Sequence, residues 1–201
     1  MDKELIDEIN YEIQLLIKIG FYGDDEILEI IDDEFIEEDI SKDLISSLLL
    51  ENKENLEELK GDSDDFIKLS KAFDDLTKEN IISIHNAGYD IEEGIQDSFE
   101  LFTHLKNNKY EPIGFCFYTF EDIENAIEEK SLNIAFGDFD YDEEKGLKIA
   151  KRIVSVLKSY DFEIDWNESV DERILIKGAT LTLTSGDEKL DKLYIEKTKL
   201  P

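Results

Sequence analysis

The sequence predicts an α+β fold: an acidic helical part, residues 1–80, packed on a layered α/β sheet domain, residues 81–201, the two forming one compact unit. Three observations predict it. The first 80 residues carry apolar positions at helical spacing and almost no alternating runs. From residue 81 the period shortens, and strand-like runs alternate with helical ones. No Gly/Ser/Pro-rich linker separates the two parts.

Taken in order, "LIDEINYEIQLLIKIG" places Leu5, Ile9, Ile13, Leu16 and Ile17 on one helical stripe, with Gly20 as its stop. "DDEILEIIDDEFIEED" follows Gly23 and repeats the scheme with Ile27, Ile31 and Phe35. "SKDLISSLLLENKENLEELK" opens on Ser41 as a cap and closes at Gly61, and a fourth stripe carries Phe66, Leu69, Phe73 and Leu76. The alternating "IISIHNA" then reads as a strand, "DIEEGIQDSFELFTHLKNN" as a helix and "PIGFCFYTF" as a buried strand behind Pro112. "EDIENAIEEKS" is a short helix and "LNIAFGDF" a third strand. The clearest helix, "DEEKGLKIAKRIVSVLKSY", turns Ile153, Val154, Leu157 and Tyr160 inward. "FEIDWNE" and "ERILIKG" form a strand pair that "ATLTLTSG" would extend.

Charge narrows the function classes. The 201 residues hold 52 acids against 22 bases, a formal net charge of −30, whereas solubility asks for roughly 2 to 8 net charges. Such a field repels nucleic acid and anionic membranes and attracts basic proteins. It is steepest in residues 24–39, where ten of sixteen positions are carboxylates. On a helix about 24 Å long this is one charge about every 2.4 Å, comparable with the ~1.7 Å spacing along duplex DNA. Asp24, Asp25, Glu29, Asp32, Asp33, Glu37 and Glu38 are therefore the candidate partner-binding residues. Two partners suit them: the basic cleft of a toxin such as a nuclease, as for an immunity protein, or the groove of a nucleic-acid-binding defence protein, as for a DNA mimic. A solvated acidic face is the plainer account of the same run.

Catalytic and metal chemistry finds little footing. "DFDYDEEKGLKI" sets Asp138, Asp140 and Asp142 at EF-hand spacing, but Glu143 replaces the turn glycine and Ile149 the bidentate acid, so a loop capping the next helix is the better reading. His85, His104 and Cys116 include no short-spaced pair of soft ligands, so no metal or other cofactor is expected. Cys116 in "GFCFY" reads as a buried apolar residue, and His104 as a helix C-terminal cation. Neither a P-loop, a G-x-S-x-G, a G-x-G-x-x-G nor an H-E-x-x-H occurs. Lys145, Lys148, Lys151 and Arg152 form a basic row that either binds phosphate or answers neighbouring acids. With one cysteine, no apolar run of membrane length and no secretory pattern at "MDKELIDEIN", the expected location is cytoplasmic.

The blocks "NIISIHNAGYDIEEGIQD", "IGFCFYTFEDIENAI", "LNIAFGDF" and "IVSVLKSYDFEIDWNESVDERILI", with "LIKIGFYGDDEILEIIDDEF" upstream, resemble an uncharacterised bacterial domain family of unknown function. The likeness runs over residues 14–177; residues 41–65 and the tail after 178 fall outside it. It implies an α+β fold and no particular activity. Among the matching positions, Gly88 suits a positive φ after the strand and Asn86 its turn. His85, Asn86, Tyr118, Trp166 and Arg173 could converge as a polar-aromatic pocket, which would point instead to a small-molecule-binding domain or enzyme.

Overall fold

The computed structural model of the chain describes residues 3–38, 40–55 and 63–182. The chain divides into two compact units, one before residue 63 and one spanning Ser63–Leu181.

The first unit is helical. Helix α1 (Lys3–Ile19) ends at Gly20, whose φ of 69° turns the chain. Helix α2 (Asp24–Glu34) runs into a single 3-10 turn (Ile36–Glu38), and α3 (Lys42–Asn55) starts where Ser41 Oγ accepts from the Leu44 N–H at 3.4 Å. The core stripe is Ile9, Ile13, Leu16 and Ile19 of α1 against Ile27 and Ile31 of α2 and Ile45, Leu48 and Leu49 of α3. One polar residue joins that core. Asn52 of α3 accepts from Gln14 Nε2 at 2.8 Å and donates to Asn10 Oδ1 at 2.6 Å and to Leu48 O at 2.9 Å. Both ends of its buried amide are thus satisfied, and α1 is tied to α3 in one register. The expected continuation of this helix to residue 60 lies outside the described residues.

The second unit is a five-stranded mixed sheet with helices on both faces. Its elements are α4 (Asp64–Lys78), β1 (Ile81–Ile84), α5 (Ile91–Asn107), β2 (Gly114–Phe117), α6 (Phe120–Glu128), β3 (Ser131–Gly137), α7 (Glu143–Ser159), β4 (Glu163–Asp165) and β5 (Ile174–Lys177). Strand order is β1-β2-β3-β5-β4; β1 and β2 are parallel and every other pair is antiparallel. The parallel pair needs a crossover, which α5 supplies. Along β2 the side chains alternate: Phe117 faces α5, where Gly94 would place a Cβ 2.3 Å from its ring, while Gly114 faces Ile149 of α7. Only a residue without a Cβ lets α5 approach that closely.

Two expectations are corrected. Helix α4, counted by the sequence with the N-terminal helices, belongs to the sheet unit, so the division falls at residue 63 and not at 81. The reason is its apolar stripe: Phe66, Leu69, Phe73 and Leu76 are buried, α4 lies across β1, and Phe66 and Phe73 meet the His85 ring just beyond that strand. Nor does "ATLTLTSG" extend the β4–β5 pair over its described part. Instead the Thr180 N–H donates to Asp65 and its carbonyl accepts from Ser63 Oγ at 2.7 Å, drawing the end of the unit to its own first helix.

Candidate functional site

The acidic display is built by α2. Its start is fixed by Gly23, extended at φ −77°, whose N–H donates to Glu26 Oε2 at 3.0 Å. Asp24, Asp25 and Glu26 occupy the first turn, where the helix dipole favours negative charge. Ile27 and Ile31 are buried, which aims the opposite face outward. Asp25, Glu29 and Asp33, four residues apart and all exposed, form a row with about 6 Å between successive members. Glu37 and Glu38 continue the exposed acids into the 3-10 turn, beside Ile36, which is 72% exposed.

The structure splits the seven predicted partner-binding residues into two groups. Asp24 is held by Lys53 at 2.6 Å and Asp32 by Lys42 at 2.8 Å, so these two carboxylates are engaged within their own unit. Asp25, Glu29, Asp33, Glu37 and Glu38 have no ion pair among the described residues. The Lys42 ammonium is held above the ordinary lysine value, first by the hydrogen bond to Asp32 and by that carboxylate's charge, and more weakly by the charges of Glu29 and Asp33. Glu34, at the end of α2, is pushed up by partial burial and then by Glu8. Lys42 and Lys53 were missed as neutralising residues; both sit on a different helix, so α2's own spacing could not reveal them.

The second predicted set does not meet as one group. His85 Nδ1 and Tyr118 Oη are 2.7 Å apart, and the His85 ring stacks on Phe73 with centroids 4.7 Å apart. His85 is 8% exposed and Tyr118 fully buried, and burial drives the phenol pKa well above its ordinary value. This pair sits in the layer between the sheet and α4. Arg173 goes elsewhere, to Asp122, with its Nη1 2.9 and 3.1 Å from the two oxygens. Asp122 is 1% exposed and also accepts from the Thr119 N–H and hydroxyl, so it caps α6 while binding Arg173. Trp166 packs edge-on against Phe136 and donates from Nε1 to the carbonyls of Ser169 and Glu172. Asn86 takes a left-handed φ of 52° in the turn after β1, and Gly88 one of 65°. The turn is pinned to the next segment by Ala87 N–H to Tyr118 O and Phe120 N–H to Gly88 O.

The remaining candidates have local partners. Asp138 accepts from the Asp140 and Asp142 N–H groups, and Asp142 caps α7 by accepting from the Lys145 N–H. Cys116 is buried beside Ser83, and His104 lies in the last turn of α5. In the basic row of α7, Lys145 pairs with Asp140, Lys151 with Glu168 and Arg152 with Glu79. Three of the four residues of that row, all but Lys148, thus answer neighbouring acids.

Among the described residues no helix is long and apolar enough to cross a membrane. No curated protein and no solved structure matches the chain. A family model does, over residues 2–181, and so takes in residues 41–65, which the block likeness left out. The chain belongs to the DUF6891 family, a domain of unknown function.

Proposed function

We propose that this chain is a non-enzymatic, cytoplasmic interaction protein of inhibitor or immunity type that captures a basic protein through α2 and the turn after it. The observation that carries the reading is the exposed row Asp25, Glu29 and Asp33 on a helix whose other face is locked by Ile27 and Ile31. Charges on an ordered helix need no rearrangement on docking, which lowers the cost of association. Their field steers a cationic partner, so capture is fast and falls with salt. Ile36, exposed among the acids, supplies the apolar contact that a protein interface uses and a nucleic-acid backbone does not. His85 with Tyr118, Arg173 with Asp122 and Trp166 with its own loop each engage separate partners, which supports an interaction surface over small-molecule chemistry.

The test is charge reversal at Asp25, Glu29, Asp33 and Glu37 together. The wild-type chain, immobilised, should retain basic proteins at about 50 mM salt and release them at about 500 mM, where the screening length shrinks to a few ångströms. The variant should retain none of them while keeping its helical circular dichroism. Equal capture by the folded variant overturns the proposal.

A further inference from the structure

We propose that the exposed ring of Tyr141, in the second unit, seats an arginine side chain of a basic protein partner. This rests on the reading of the chain as a binder of basic proteins and adds a second contact, remote in sequence from α2. Tyr141 is 82% exposed and holds a left-handed backbone, φ 58°, a conformation that bulky side chains rarely adopt. The loop is clamped there by Asp138, whose carboxylate accepts from the Asp140 and Asp142 N–H groups at 3.0 and 2.8 Å. The ring is backed from beneath. It stacks on Phe99 at 5.9 Å and 21°; Phe99 meets Phe139 edge-on at 5.3 Å, and Phe139 meets Phe115 of β2 at 5.3 Å. An aromatic column thus runs from the sheet to the surface and ends in one presented ring.

Its chemistry suits a guanidinium. Tyr141 lies within "DYDEE", between Asp140 and the acids Asp142, Glu143 and Glu144. Asp140 is engaged by Lys145, whereas Glu143 and Glu144 are exposed and have no ion pair among the described residues. A planar cation can stack on the ring face and fork to a carboxylate at once, which a lysine ammonium cannot do. The same cluster already seats a cation of its own: Lys106 Nζ lies 5.1 Å from the Phe102 centroid, and Phe102 stacks on Phe139 at 4.0 Å.

The experiment is a residue-resolved NMR titration of the full chain with hexa-arginine and, separately, with hexa-lysine. Hexa-arginine should shift the Tyr141 and Phe99 ring resonances more strongly than hexa-lysine. Tyr141→Ala should weaken that arginine-specific response about two- to fivefold, and Tyr141→Phe should keep it. Equal responses to the two peptides at Tyr141, or no loss in Tyr141→Ala, overturn the arginine seat. Shifts confined to α2 overturn the seat and leave the proposed function standing; a silent titration at both places overturns both.

Discussion

Residues 1–62 and residues 63–181 solve the same problem, burying amphipathic helices, with different charge economies. The first stretch holds 21 acids and 5 bases, the second 27 acids and 13 bases. Net charge is therefore −16 over 62 residues and −14 over 119. In the second unit the bases are placed against acids: Arg152 on Glu79, Lys151 on Glu168, Lys177 on Asp165 and Arg173 on the buried Asp122. In the first, Lys42 and Lys53 pair with Asp32 and Asp24, and the outer row of α2 has no ion pair among the described residues. Apart from Arg173–Asp122 these pairs are exposed and contribute little to stability, so the contrast concerns what each surface offers to other molecules. The second unit answers a larger share of its acids from within, and the first leaves more surplus charge per residue for a partner.

The contrast can be broken from the sheet side most strongly. Gly94→Ala should destabilise the second unit by about 3 kcal/mol, because the added Cβ would lie 2.3 Å from the Phe117 ring and 2.8 Å from Ala87 O, both in packed surroundings. Native-state hydrogen exchange should show the loss at the amides of Cys116 and Phe117. Unchanged exchange there would mean that the helix can retreat from the sheet.

The corresponding break in the helical unit is smaller. Asn52→Ala should cost about 2 kcal/mol, since it strips Gln14 and Asn10 of their shared partner inside the α1–α3 contact. Urea unfolding, read with exchange at Ile13 and Leu16, measures it. An unaltered midpoint would show that water replaces the amide.

Acidification sharpens the comparison with the smallest effect. Glu34 titrates above its ordinary value of 4.5, so between that value and its raised one the folded state holds the extra proton. Stability of the first unit should therefore rise as pH falls from 7 through the raised value toward 4.5. Asp97 in the second unit has the same sign, from burial and then Glu100. Glu79, held low by Arg152, and Asp75, held low by Lys78 and Tyr160, act oppositely. Their contribution is present above their ordinary values and is lost as pH falls through the depressed ones. Opening free energies at pH 7, 5 and 3.5 should rise and then fall in the second unit, with the fall weaker in the first. Parallel curves for the two units would remove the distinction.

Much of this architecture was legible beforehand because periodicity reports burial directly. All five strand runs and the stripes of α1, α2 and α4 appear where Ile, Leu and Phe recur. Helix ends were harder to read. Helices α4 to α7 are followed by left-handed residues that are not glycine (Asn80, Lys109, Lys130 and Asp161), so the usual stop signal is missing. The aromatic column was also hidden, because Phe99, Phe115, Phe139 and Tyr141 come from three separate segments whose meeting no local pattern encodes.

By itself the sequence determined the class of fold, the family, and the concentration of carboxylates in residues 24–39, since composition and period are properties of the chain alone. Only the tertiary structure decided which acids remain available and where the polar candidates go. It placed lysines of α3 and its start on Asp24 and Asp32, sent Arg173 to Asp122, and enclosed His85 with Tyr118 under α4. Pairing depends on proximity in space, because the interaction weakens with separation, and residues 10 to 51 positions apart become neighbours only after the chain has folded.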